Sequence, residues 1–262
     1  MRSLFDLTGK VVLATGGASG IGLGFLQGCA RQGASVVILD RNAEAAGAAA
    51  ALLKEMGAAA VHVEAVDVTD SAAVDAAFAA TIAVLGRIDC VFANAGINLR
   101  AESFSALTSE TYHALLDVNL HGAFHTLQAA VRHMKARAEA GDPGGSLVAC
   151  GSLSIFYGLP GMQHYAAAKG ALLAMIRGLA VEMGPYGVRA NMLVPGFIVT
   201  GLTSGSPDAQ KVIERFSAIT PLGRPGDLSD IEGPAAYLAS DASKFQTGQT
   251  LIIDGGRLVQ NG

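Results

Sequence analysis

Seven short apolar, β-rich runs alternate with longer Ala-rich amphipathic stretches along this chain, and few folds accommodate such an alternation. The runs fall at 10–15, 35–40, 60–66, 88–93, 146–150, 188–194 and 249–253. Helical periodicity occupies 21–31, 42–56, 72–85, 109–136, 163–182 and 227–238. Near-continuous apolar strands separated by helices predict a parallel sheet buried on both faces. At 262 residues, 51% of them hydrophobic and only 15% charged, the chain has ample apolar material for one large α/β core. No repeat, low-complexity linker or composition break marks a second domain, so residues 1–262 are read as one unit. Irregular backbone is expected at 98–108, 141–145 and 201–225, the last a Gly/Ser/Pro-rich stretch expected to act as a mobile flap.

Composition also excludes several function classes. The net charge of −4 offers no basic footprint for nucleic acid. No apolar stretch approaches the ~20 unbroken residues of a membrane span. The amino terminus carries no long apolar signal core, which makes the cytoplasm the expected compartment. Cys29, Cys90 and Cys150 show neither close pairing nor ligand spacing and read as buried free thiols. His121 and His125, four apart, lack a third candidate ligand and read as helix surface or interface, so no metal site is expected.

The first strand runs into Thr15-Gly16-Gly17-Ala18-Ser19-Gly20-Ile21-Gly22, which opens the first helix. Glycines there permit a tight turn and close approach of the backbone to a phosphate at the helix amino end. A glycine turn alone is also what any tight strand-to-helix corner requires; its place between strand and helix is what points to a dinucleotide. Asp40 ends the second strand eighteen residues after Gly22, where an acid accepts hydrogen bonds from the adenosine ribose. Its carboxylate would repel a 2′-phosphate, so NAD is expected over NADP. Arg41 opposes that expectation, because an arginine there can pair with the phosphate, whereas uncharged Ser19 offers NADP no help.

Tyr165 and Lys169 are four apart on the 163–182 helix, hence on one face. An ammonium beside a phenol favours the ionised form and lowers a pKa that is ordinarily ~10. Such a tyrosine exchanges a proton with an alcohol or carbonyl oxygen near neutral pH. Ser152 precedes the pair by thirteen residues. An isolated Tyr-x-x-x-Lys is equally a surface pair, Ser152 an ordinary strand-end serine, Asn119 a polar group inside a helix, and Asp67 an N-cap. As an ordered set with the glycine turn, these residues point to chemistry on a nucleotide cofactor.

That set resembles the short-chain dehydrogenase/reductase family nearly end to end. The resemblance rests on Thr-Gly-x-x-x-Gly-Ile-Gly at 15–22, Asn94-Ala95-Gly96, Asn119, Ser152, Tyr165 with Lys169, and Pro195-Gly196 with Thr200. It implies a single-domain, Rossmann-like doubly wound sheet of order 3-2-1-4-5-6-7, and a homotetramer. It further implies Tyr165 as acid/base and Ser152 as a donor to the reacting oxygen. Lys169 would hold the nicotinamide ribose and tune Tyr165, and Asn119 would break its helix and hold a water leading from Lys169 to solvent. Cofactor contacts would come from Gly16, Ser19, Gly20, Ile21, Gly22, Asp40, Arg41, Asp67, Val68, Asn94, Gly96, Tyr165, Lys169, Pro195, Ile198 and Thr200.

The function expected is hydride transfer between NAD(H) and a secondary alcohol or its ketone. By family geometry the substrate pocket falls at 98–102, 154–158, 162–164, Phe197 and 201–217. Phe156, Tyr157, Met162 and Phe197 suggest an apolar or ring-bearing substrate more than a highly polar sugar. His164 is read as packing on its helix more than as a substrate contact. No Lys or Arg cluster stands near these segments except Arg100, so a phosphorylated or carrier-bound substrate is not indicated. Two alternatives stand beside this reading. One is an NADPH-linked 3-oxoacyl-thioester reductase, for which Asp40 is the wrong residue. The other is a non-catalytic dinucleotide-binding regulator, against which the complete Asn119, Ser152, Tyr165 and Lys169 set argues.

Overall fold

A computed structural model of the protein describes residues 3–201 and 208–260. Seven strands, β1 (Val11–Thr15), β2 (Ser35–Asp40), β3 (Val61–Ala65), β4 (Cys90–Ala93), β5 (Gly145–Cys150), β6 (Val188–Pro195) and β7 (Thr250–Ile253), form one parallel sheet. The spatial order is β3-β2-β1-β4-β5-β6-β7, as expected. Alternation along each strand divides the apolar residues between two cores. Leu13, Val37, Val91, Leu147 and Met192 face α3 (Ser71–Leu85), α5 (Ala123–Glu139) and α6 (Gln163–Met183). Ala14, Val36, Phe92, Val148 and Leu193 face α1 (Gly20–Ala30) and α2 (Ala43–Glu55), together with Ile231, Ala235 and Leu238 near the carboxy end of the chain. Period-2 placement on a sheet covered on both sides explains why these strands read as unbroken apolar runs.

The second core includes all three cysteines, each a free thiol. Burial pushes the Cys90 thiol up to about 12, which makes it unreactive at neutral pH. Among the described residues no group of three or more His, Cys, Asp or Glu is placed to hold a metal. His121 pairs with Asp117, and His125 donates through Nδ1 to the Val68 carbonyl. No helix among the described residues is long and apolar enough to cross a membrane.

Two elements depart from the sequence expectation. The single helix that periodicity predicts over 109–136 is split, at the Asn119 where the resemblance implies a break, into α4 (Ser109–Leu116), a six-residue π-helical segment (Asp117–Gly122) and α5. Tertiary contacts favour the wider turn. Asn119 turns away to bond a neighbouring segment, and Gly122 packs so closely on Val68 that an added methyl would overlap its side chain. The stretch expected to be irregular over 201–225 contains α7 (Ala209–Ala218), followed after Pro225 by α8 (Ser229–Ala239). Val212, Ile213 and Phe216 give α7 its apolar side, a periodicity obscured in sequence by the surrounding Gly, Ser and Pro. Part of the expected flap, 202–207, lies outside the described residues.

Candidate active site

In a parallel sheet of this order the connections diverge between β1 and β4, which opens a crevice at their carboxy ends. The sequence-predicted residues converge on this end of the sheet. Thr15 and Asn94 lock its centre. The Thr15 Oγ1 accepts from the Asn94 and Ala95 backbone N–H groups at 3.1 and 3.2 Å, and Asn94 Nδ2 donates to the Thr15 carbonyl at 3.0 Å. The resemblance assigns Asn94 to a ribose channel; the bond it makes here braces the glycine turn. Thr15 was not anticipated in that role, although a hydroxyl at the last strand position before a glycine turn is its signature.

The glycine turn fits a phosphate. Gly16 has φ +63°, a left-handed conformation closed to most side chains. At Gly22 an added methyl would strike the Gly16 carbonyl and lie 2.6 Å from Asn94 Nδ2, so the helix start packs against the turn only with glycine there. The α1 amino end has no side-chain cap from Ser19, which is exposed. Its N–H groups and positive dipole end are therefore available to an anion. Gly20 faces Thr200, whose methyl lies 3.5 Å from where its Cβ would stand.

At the end of β2 the Asp40 carboxylate is fixed from both sides. Oδ2 accepts from Ala18 N–H at 3.1 Å and Oδ1 from Asn42 N–H at 3.0 Å. Arg41 beside it is exposed. Beyond β3, Asp67 accepts from the Thr69 backbone and hydroxyl. Those bonds, backbone first, with the Arg41 charge in support, hold its carboxyl below the ordinary range. Asp70 rather than Asp67 caps α3, through Ala72 and Ala73 N–H.

The proton-handling residues are held by the end of β5 and by the π-helical segment. Lys169 is 3% exposed, and its Nζ donates to the Cys150 carbonyl at 2.9 Å, at the end of β5. The same Nζ lies 5.7 Å from the centroid of the half-buried Tyr165 ring. Ser152 stands two residues beyond β5 rather than on its last position, and its Oγ accepts from Ser154 N–H at 3.2 Å. That bond leaves the hydroxyl proton free to be donated elsewhere. Asn119 is fully buried in the π-helical segment; Oδ1 accepts from Ile97 N–H at 2.7 Å and Nδ2 donates to the Ile97 carbonyl at 3.0 Å. Gly96 borders the same amide.

Past Pro195, which ends β6, Ile198 pairs with Gly226 through Val199 N–H to the Gly226 carbonyl and Gly226 N–H to the Phe197 carbonyl. The N–H and carbonyl of Ile198 itself take no part in that bridge and point away from it. Phe197 stacks face to face on Phe216 of α7, centroids 3.8 Å apart. His164 is 1% exposed and Met162 is also buried. Three of the side chains expected to line the pocket are thus engaged in packing, while Phe156 stays exposed and Tyr157 sits beneath the Arg257 guanidinium.

Residues 16–257 match the family model described as Enoyl-(Acyl carrier protein) reductase. The L-rhamnose 1-dehydrogenase (NAD(P)(+)) of Azotobacter vinelandii is 36% identical over 257 residues, covering 97% of this chain and 98% of that protein. Among solved structures, a gluconate 5-dehydrogenase from Burkholderia cenocepacia in complex with NADP and tartrate superposes with a TM-score of 0.88 at 38% identity, covering 98% of each chain. A short-chain type dehydrogenase/reductase from Mycobacterium marinum gives a TM-score of 0.88 at 31% identity, covering 97% of each chain. With the fold, the glycine turn and the Tyr165–Lys169 pair in the same order, this chain belongs to the short-chain dehydrogenase/reductase family.

Proposed function

We propose that this protein, within its family of hydride-transferring alcohol and ketone oxidoreductases, acts on a ring-bearing secondary alcohol or the matching ketone, with Tyr165 as acid/base. The observation that carries the reading is the buried Lys169 ammonium, anchored on the Cys150 carbonyl and lying against the Tyr165 ring. When bound, the nicotinamide accepts or supplies the hydride. Tyr165 takes the hydroxyl proton from the alcohol or returns it to the ketone oxygen. The free Ser152 proton bonds that same oxygen and holds it toward Tyr165. Lys169 keeps positive charge beside the phenol and reaches the nicotinamide ribose, and the Asn119 segment leads from Lys169 toward solvent. The Ile198 backbone groups left out of its bridge, together with Thr200, would hold the carboxamide, with Pro195 preceding them at the end of β6.

NAD is the proposed cofactor, because a pinned Asp40 carboxylate suits ribose hydroxyls and opposes a 2′-phosphate. Arg41 admits NADP as a competitor, in keeping with a relative named for both cofactors and a neighbour bound to NADP. Against the sequence expectation of an apolar substrate, the sugar name of one relative supports a hydroxylated ring and the open-chain sugar-acid name of the other a polyhydroxylated substrate. The stacking of Phe197 on Phe216 and the burial of Met162 and His164 support the same reading. The family model's description favours a second reading, reduction of a carrier-bound acyl group. A screen of L-rhamnose, D-gluconate, cyclic alcohols and a 3-oxoacyl thioester, each with both cofactors, separates the two.

The whole chain is proposed to work as one domain in the cytoplasm, with buried free thiols in keeping with a reducing compartment. A homotetramer is proposed on the half-buried edge strand β7 and on Val181 of α6, which is 81% exposed. Tyr165→Phe tests the catalytic assignment. Turnover should fall at least ~10²-fold, while NADH binding stays within a few-fold because the ring is retained. Near-normal turnover would remove Tyr165 from the mechanism.

A further inference from the structure

His164, immediately before Tyr165, makes one hydrogen bond, from Nε2 to the Leu99 carbonyl at 2.7 Å. Its Nδ1 is buried without a partner among the described residues. A polar ring enclosed in this way is a poor choice for stability alone, where an apolar side chain would pack without an orphaned nitrogen. The bond it does make lies in a regular series. Ile97 is held at both backbone groups by Asn119, Leu99 by His164, and Ala101 N–H by the Gly161 carbonyl at 3.0 Å. Alternate residues of 97–101 are thus pinned from one side, and exposure alternates with them: Asn98 and Arg100 are exposed, Ile97, Leu99 and Ala101 are half-buried. The Arg100 stem rests over Gly161, 3.4 Å from where its Cβ would stand.

We infer that His164 is a positioning residue for substrate. By tying Leu99 to the turn of α6 that carries Tyr165, it fixes residues 97–101 as a rigid wall at a set distance from the proton-transferring phenol. The inference rests on the reading of Tyr165 as acid/base. A segment expected from sequence to be irregular is held in register with the catalytic helix, so it should set how tightly the alcohol is positioned while leaving cofactor affinity alone. Gln at 164 can present a donor near the position of Nε2; Leu cannot.

The test compares His164→Leu, His164→Gln and Gly161→Ala with the parent. Gly161 has φ +74°, and a methyl there would overlap the Ala101 carbonyl, so its replacement loosens the same wall from the other side. Two readouts apply: hydrogen exchange of the peptide spanning 94–104, and kcat and KM for L-rhamnose and D-gluconate beside the NADH dissociation constant. His164→Leu and Gly161→Ala should exchange that peptide at least ~10-fold faster and raise KM for the alcohol at least ~10-fold, with NADH binding within twofold. His164→Gln should return both to within about threefold of the parent. Parent-like exchange in folded His164→Leu overturns the inference, as does a uniform loss of stability with KM unchanged. If His164→Leu does not fold, Gly161→Ala with parent-like exchange overturns it equally. Should Tyr165→Phe retain turnover, the catalytic reading fails, and the exchange result still decides whether the wall is pinned by His164.

Discussion

Asn119→Asp is the substitution that best tests how the site is built, because it replaces one heavy atom and turns the donor of one hydrogen bond into an acceptor. In the parent the fully buried amide accepts from Ile97 N–H and donates to the Ile97 carbonyl, 3.0 Å away. An aspartate keeps the first bond but sets a carboxylate oxygen against a carbonyl oxygen. If ionised, it is a buried charge facing a like dipole; if protonated, it restores the donor. Removing the amide altogether, as in Asn119→Ala, leaves the Ile97 N–H and carbonyl without partners, at about 1–3 kcal/mol for each. The Ala variant should therefore lose about 4 kcal/mol, or roughly 10 °C in Tm for a chain of this size.

The Asp variant should lose a comparable amount at pH 8 and recover part of it at pH 5. The folded state favours the protonated acid, so the folded pKa lies above the unfolded value of ~3.9. Stability conferred by such a group is complete below the unfolded pKa and is lost as pH rises through the folded one. Thermal melts of parent, Ala and Asp variants from pH 5 to 8 measure this directly, with the parent profile subtracted. An Asp variant as stable as the parent at pH 8, with no added pH dependence, would refute the bidentate Asn119–Ile97 contact and the wall built on it.

Asp40→Ser should relax the cofactor preference and let NADP compete, with Arg41 released to pair the phosphate; kcat/KM for both cofactors in both proteins decides it, and a parent that already prefers NADP contradicts the Asp40 argument. Burial pushes the Asp89 carboxyl up, but the Arg87 and Val11 N–H hydrogen bonds and the Lys10 and Arg87 charges outweigh it and hold its pKa below the ordinary value. Its stabilisation is therefore present above the unfolded carboxylate pKa and is lost as pH falls through the lower folded value; Asp89→Asn should cost about 3 kcal/mol near pH 7 and progressively less in acid, read by urea titration. Sedimentation at micromolar concentration should give a mass near four times 26.6 kDa, and a stable monomer would remove the proposed interface.

The strands and helices, the glycine turn and the Tyr165–Lys169 face were legible in the sequence because each follows from local pattern, whereas the strand order was implied only by the family resemblance. Alternation in period 2 places Leu13 and Ala14 on opposite faces, and four residues of helix bring Tyr165 and Lys169 together, whatever surrounds them. The interruption within 109–139 was not legible from periodicity, although the resemblance implied it at Asn119, since the π-helical segment is held by Asn119 reaching Ile97, twenty-two positions away, and by Gly122 meeting Val68. Helix α7 was hidden for the opposite reason: local composition argued for a loop, and the Phe216 stack on Phe197 supplies a contact that composition does not encode. The same distinction separates the pocket residues. Sequence position brought Phe197, Met162 and His164 near the reacting centre, but only the tertiary structure decided that Phe197 stacks on Phe216, that His164 bonds the Leu99 carbonyl and that Met162 is buried. Short-range periodicity is written into the order of residues; hydrogen bonds between distant segments are won by competition with solvent, and that competition is settled only when the chain has closed around them.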